Sequence, residues 1–310
     1  MHAGGACGDP CAPGWRGQAM AQLELQVSPL VAVLGSFAIS FSFVASLYLW
    51  KLAGYKETNR DETGTIQRRF ASACLTCLCS AALVRWLARP AEDGGGLTLL
   101  QLLGLTSDDL LAACSCCLCL TAVIFVGPIV QHLVSAAEGN TPLASLPDAP
   151  WVALRNYVMA PFTEEFVFRA CLVRLWVAAS FPMGMIIFCS PFCFALAHSH
   201  HFIEHVRRFK DKKMALLHVA FQVFYTSLFG MYSNFLLLRT GSTVAVILTH
   251  TFCNHQGFPD VGFIAASGHP LYRHRAWLGP LYLTGVGAFC FLLMPLTAGF
   301  SSSFAPPGGR

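Results

Sequence analysis

Long apolar stretches alternate with short polar ones along most of this chain. The apolar runs are Pro29–Trp50, Phe70–Leu87, Leu110–Val134, Trp176–Ala197, Met214–Leu238, Ser242–Phe252 and Trp277–Phe300. A run of roughly 18 or more apolar residues with few charges is long enough to cross a bilayer as a helix. The pattern therefore predicts an all-α fold: a polytopic transmembrane helical bundle of about seven or eight spans. Polar segments at 89–109 and 138–151, the second broken by Pro142, Pro147 and Pro150, read as loops. No repeat at a fixed period interrupts this organisation. Residues 1–28 are expected as a disordered Gly-, Ala- and Pro-rich tail, 29–300 as one membrane domain, and 301–310 as a flexible C-terminal tail. The first span is expected to serve as an uncleaved anchor, because no basic, apolar and small-residue order of a signal peptide precedes it.

Composition agrees with the pattern. Of 310 residues, 55% are hydrophobic and only 12% charged, whereas a soluble domain carries about 25% charged residues. The net charge of +4 is modest and gives no reason to expect nucleic acid as a partner. Ten of the Lys and Arg residues fall in two segments, Lys51–Arg69 and Val206–Lys213. Under the positive-inside rule both belong on the cytosolic side. The chain holds 14 cysteines, and Cys74, Cys77, Cys79, Cys114, Cys116, Cys117 and Cys119 lie within apolar runs, where they act as small hydrophobes. Cys74 and Cys77 form a C-x-x-C without a second pair or polar company, so no structural metal is expected there.

Charge in the wrong place changes the picture. The stretch Pro161–Trp176 is mostly apolar yet contains Glu164, Glu165, Arg169 and Arg174. A charged side chain at the centre of a membrane helix costs about 2.5–3.5 kcal/mol or more, so these groups are expected to face the bundle interior and line a polar intramembrane cavity. Glu165 and Arg169, four apart, share a helical face and can pair. Glu164 points about 100° away and is left over. A buried ion-pair network that only fixes packing explains one carboxylate and one arginine, but not the second carboxylate.

Two further polar clusters end apolar runs. One contains His198, His200, His201, Glu204 and His205; the other places His250 and Asn254 four apart on one helical face. Three separate helices thus deliver a carboxylate, a histidine and a histidine–asparagine pair. That inventory suits amide hydrolysis. Glu164 would take a proton from water, His198 would hold or relay it, and His250 with Asn254 would stabilise the oxyanion.

The same residues fit three ordered motifs. Glu164–Arg169 reads Glu-Glu-x-x-x-Arg, Phe194–His198 reads Phe-x-x-x-His, and His250–Asn254 reads His-x-x-x-Asn. In this order, on apolar helices, the chain resembles the type II CAAX prenyl endopeptidases over roughly Val44–Leu296. The resemblance implies a glutamate-dependent intramembrane protease of the endoplasmic reticulum membrane, with its active site facing the cytosol. It implies cleavage of the last three residues from farnesylated or geranylgeranylated Cys-a-a-X proteins, Ras-type small GTPases among them, with membrane lipid as the surrounding partner. By position it implies Glu164 and His198 as catalytic, His250 and Asn254 as the oxyanion site, and Glu165 and Arg169 as supports. No cofactor is implied, and the catalytic half falls at about 151–300.

Other readings compete. His201–His205 is formally H-x-x-E-H, so a zinc-dependent membrane metalloprotease is the alternative, although it leaves Glu164, Glu165 and Arg169 without a task. The histidine boxes of a di-iron desaturase are incomplete here. A proton-coupled transporter lacks the paired, broken hydrophobic halves such proteins show. A scaffold that binds lipidated proteins would keep the cavity without needing Glu164.

Overall fold

The computed structural model describes residues 22–55, 59–92, 96–142, 149–197 and 211–305. Helix α1 (Pro29–Leu52) starts where Ser28 caps the Val31 amide and Pro29 occupies the first turn, where its missing N–H is no loss. It is followed by α2 (Thr63–Leu87), α3 (Leu110–Ile124) and α4 (Val126–Ala137). The next helical run, α5 (150–178), is composite. It joins α-helical Pro150–Leu154, a π-helical turn Arg155–Met159, α-helical Ala160–Glu165, a second π-helical stretch Phe166–Val173 and α-helical Arg174–Ala178. Short helices α6 (Met183–Phe188) and α7 (Pro191–Ala197) precede α8 (Lys212–Thr240), α9 (Thr243–Gln256) and α10 (Arg275–Leu296). The described strands, Leu23–Glu24 and Arg89–Pro90, form a two-residue antiparallel ladder.

The core is built around α5. Val167, Ala170, Cys171, Val173 and Leu175 are fully buried, with α1, α2, α8 and α9 packed around their helix. The outer faces are apolar instead: Leu30, Phe41, Leu78, Trp86, Leu111, Leu217 and Phe291 are exposed. An apolar exterior around a polar-studded central helix fits a lipid surrounding. Among the described residues, four helices, α1, α2, α8 and the one ending at Leu296, are long and apolar enough to cross a membrane. The pair α3–α4, bent by 68°, makes a fifth if it is one span. The bend falls where Pro128 cannot donate to the carbonyl of Ile124.

These candidates, with the composite α5 and the shorter apolar helices beside them, fit the expected multi-pass bundle. The Trp176–Ala197 run breaks at Ser180, which sits at φ 56°, and at Pro182 and Pro191. The Ser242–Phe252 run becomes the 14-residue α9, and α5 is interrupted by its two π segments. The fold remains a multi-pass helical membrane bundle.

One end of the bundle ties the two helices that matter most below. Gly241, at φ 68°, turns α8 into α9, and a Cβ there would press on Ser302. The Thr243 hydroxyl and amide then bond the carbonyls of Leu103 and Gly104, at 2.7 and 2.8 Å. Arg174, at the end of α5, donates to the carbonyl of Leu102 and, at 2.8 Å, to that of Ser303, with Phe304 beneath its guanidinium. Within the 301–310 stretch expected as a flexible tail, Phe304 is fully buried, its ring filling the space under Arg174.

Candidate active site

The α-helical turn Ala160–Glu165 presents two adjacent carboxylates, and the structure separates their tasks. Glu165 is fully buried. Its Oε1 lies 2.7 Å from Nδ1 of His250, and its Oε2 lies 3.1 Å from Nε of Arg169. The Arg169 contact is a charge pairing without the alignment of a hydrogen bond, since Oε2 has no hydrogen-bond partner among the described residues. The sequence spacing anticipated the Glu165–Arg169 pair; that Glu165 also takes His250 from α9 was not foreseen.

A buried ion pair is stable only when its partners are closely arranged, because desolvation costs several kcal/mol per ion. Apolar rings do the enclosing. The Arg169 guanidinium lies over Phe194 at 4.5 Å and over Phe229 at 5.7 Å, and the Phe229 ring packs on His250 at 4.7 Å. Such cation–π contacts recover part of the lost hydration. Gly230 leaves the room: a Cβ there would lie 2.7 Å from Pro191 and 3.3 Å from the Arg169 guanidinium.

Glu164 stands beside this group. It is half-buried, and its charge acts on His250, Glu165 and Arg169, and on Tyr225 of α8. No described side chain forms an ion pair with it. With Nδ1 of His250 against Glu165, the other ring nitrogen, Nε2, is the one available for chemistry.

Asn254 is placed differently from the expectation of one donor pair with His250. It is exposed, and its Nδ2 donates to the backbone carbonyl of Asn156 at 2.9 Å. An amide nitrogen has two hydrogens, so this bond orients the group and leaves the second hydrogen to donate. Three residues earlier on α9, the Thr251 hydroxyl donates to the carbonyl of Tyr157 at 2.9 Å. Arg155, at the start of the same π turn, bonds Asp61 at 2.8 Å and the carbonyl of Arg60 at 3.0 Å.

His198, His200, His201, Glu204 and His205 lie outside the described residues. The structure therefore brings together Glu164, Glu165, Arg169 and His250, with Asn254 on the adjoining turn. Phe229, Gly230, Thr251 and Asn156 escaped sequence reasoning. For Thr251 a signal existed: it sits three residues before Asn254, on the same helical face.

A multi-pass helical protein that buries a carboxylate–guanidinium–imidazole group, with a second carboxylate alongside, is the class the fold and site define. Comparison with known proteins narrows it. Residues 146–255 match the family model described as "Type II CAAX prenyl endopeptidase Rce1-like". The chain is 37% identical over 280 residues to "CAAX prenyl protease 2" of Homo sapiens, covering 86% of this chain and 81% of that protein. It is 30% identical over 292 residues to the protein of that name in Arabidopsis thaliana, covering 87% and 91%. With the Caenorhabditis elegans protein of the same name it shares 29% over 270 residues, covering 84% and 96%. No solved structure matches. The chain belongs to the type II CAAX prenyl endopeptidase family, whose members are peptidases.

Proposed function

We propose that this chain is an intramembrane endopeptidase that removes the a-a-X tripeptide from farnesylated or geranylgeranylated Cys-a-a-X proteins. Ras-type small GTPases are substrates of this kind, and membrane lipid is the medium in which they are met. The proposed location is the endoplasmic reticulum membrane, with the site opening to the cytosol.

One observation carries the mechanism: of two adjacent carboxylates, Glu165 is committed to Arg169 and His250, while Glu164 lies beside them without an ion-pair partner among the described residues. Glu164 takes a proton from water, and the resulting hydroxide attacks the scissile carbonyl. Glu165 holds His250 through Nδ1, and in its imidazolium form the ring turns an Nε2–H donor towards the developing oxyanion. Asn254, fixed by the Asn156 carbonyl, supplies a second donor through its other amide hydrogen. A single oxyanion donor is worth about 10²–10³ in turnover. As the C–N bond breaks, the proton on Glu164 passes to the leaving amine, with His198 as the relay. A prenyl chain gains about 0.8 kcal/mol per buried CH₂, so lipid and peptide together set recognition.

The test is mass spectrometry of a farnesylated Cys-a-a-X peptide incubated with purified wild type and Glu164→Gln. Wild type releases the tripeptide, and Glu164→Gln releases none while melting at the wild-type temperature. Turnover retained by Glu164→Gln rejects the base assignment. Equal turnover of an unfarnesylated control rejects the lipid's part in recognition. Activity lost on chelation and restored by zinc, with His201→Ala and His205→Ala inactive, would favour the metal reading instead.

A further inference from the structure

Helix α5 carries a backbone fault one turn before the paired glutamates. In an α-helix the amide of residue i serves the carbonyl of residue i−4. Here the Ala160 amide bonds the carbonyl of Arg155, five back, which closes the π turn Arg155–Met159 and deprives Asn156 of its donor. The next residue is Pro161, which has no N–H, so the carbonyl of Tyr157 loses its donor too. Two successive carbonyls are thereby left without a helical donor on a half-buried turn, and a backbone group shielded from water is costly to leave unpaired.

Helix α9 fills both. Thr251 Oγ1 donates to Tyr157 and Asn254 Nδ2 to Asn156, each at 2.9 Å. Most described mid-helix hydroxyls do something else, although Thr243 in the first turn of α9 also reaches outside its helix, to Leu103. Ser36, Thr76, Thr121, Thr226 and Thr240 all bond back to the carbonyl four residues earlier in their own helix. Thr251 instead reaches across to another helix, from the position next to His250.

We infer that Thr251 is a positioning residue: with Asn254 it clamps the two carbonyls that Pro161 and the π turn leave open, and so sets the Glu164–Glu165 turn in register with His250. This rests on the proposed hydrolytic reading of the site. The clamp and the Glu165–His250 bond fix α9 against α5 together: all three come from the His250–Asn254 stretch of α9, and on α5 Glu165 lies eight and nine residues beyond the clamped Tyr157 and Asn156. Loss of the hydroxyl leaves the Tyr157 carbonyl open again, and the local helix shifts to find a donor. Small displacements of positioned groups are felt mainly in turnover.

The experiment is a double-mutant cycle in the full-length protein, with Thr251→Val, Pro161→Ala and the pair, plus Thr251→Ser. Thr251→Val is expected to lower kcat on the farnesylated peptide by roughly tenfold while KM stays within about twofold, and Thr251→Ser recovers most of it. Pro161→Ala returns an amide to the helix, giving Tyr157 a donor of its own. In that background Thr251→Val is expected to cost less than about threefold, a coupling that a merely structural threonine would not show. Should Thr251→Val alone not fold, the paired variant is expected to fold; failure of both overturns the proposal. So do equal losses in the two backgrounds, an unchanged kcat for Thr251→Val, or a serine variant no better than valine. If wild type does not cleave the peptide, the hydrolytic reading fails, and the same cycle read by thermal melting decides the clamp: additive shifts overturn it and non-additive shifts sustain it.

Discussion

Glu165 and Glu164 differ by one position in sequence and by everything in surroundings. Glu165 is enclosed by Arg169, His250 and the rings that cover them, so its one carboxylate serves a guanidinium and an imidazole at once. Removing one member of a buried ion pair leaves the others uncompensated, at a cost of about 3–5 kcal/mol. Glu165→Gln is therefore expected to destabilise the protein by that amount, read as a lower melting temperature in detergent, as well as to abolish turnover. Glu164→Gln is expected to abolish turnover without the stability loss. The contrast between the two is the informative measurement; equal destabilisation by both would mean that Glu164 is as deeply committed to packing as its neighbour. Sequence spacing made the Glu165–Arg169 pairing legible and left Glu164 over. It did not show which carboxylate His250 would choose, because that depends on how α9 is rotated against α5, and a single chain of letters carries no such angle.

At the scale of elements, α5 and α9 are joined in two places besides the Glu165–His250 bond. The Thr251 and Asn254 clamp is one junction; the other is where Arg174 and Thr243 share the carbonyls of residues 102–104. Among the described residues Arg174 meets no carboxylate and spends its donors on Leu102 and Ser303 instead. A buried carbonyl left without a partner costs about 1–3 kcal/mol. Arg174→Met opens two, so a loss of about 2–5 kcal/mol is expected, measured by denaturation, and truncation after Ser301 should lose a comparable amount. A truncated protein as stable as wild type would show that the C-terminal segment does not hold this junction. The apolar runs announced α1, α2, α8 and α10 well, since length and composition suffice for an uninterrupted span. They did not show the breaks within 176–197, where Ser180, Pro182 and Pro191 divide a run whose hydropathy alone looks continuous. The π segments were not legible at all. Their register depends on which carbonyls a neighbouring helix can satisfy, which is a tertiary matter, although Pro161 inside a helix was a visible sign that some carbonyl would need outside help.

For the whole molecule, the two junctions lie at opposite ends of the bundle, and this gives the proposed orientation a concrete form. Arg155 contacts the turn at Asp61, and His274 and Arg273 contact Glu138 at 2.6 Å, so the α1–α2, α4–α5 and α9–α10 connections share one end. Leu23 pairs with Pro90, Val27 with Ala178, and Ser302 with Leu237, so the opposite end holds the chain start, the α5–α6 turn and the C-terminal segment. The first end carries Lys51, Arg60, Arg68, Arg69, Lys212, Lys213, Arg273 and Arg275; the second has Arg85, Arg89 and Arg239. In the proposed orientation, which follows the positive-inside rule, the first end faces the cytosol, and with it the clamp, Asn254 and the approach to Glu164. Substrates made on the cytosolic side then reach the site without crossing the bilayer. In microsomes, an N-glycosylation acceptor tag fused after Arg310 is expected to receive a glycan, whereas the same tag inserted in the exposed stretch Ala265–Gly268 is not. The reverse pattern would put the polar end in the lumen, out of reach of prenylated cytosolic proteins. It would leave the ion-pair chemistry intact but remove its proposed substrate, so orientation and catalysis can be judged separately.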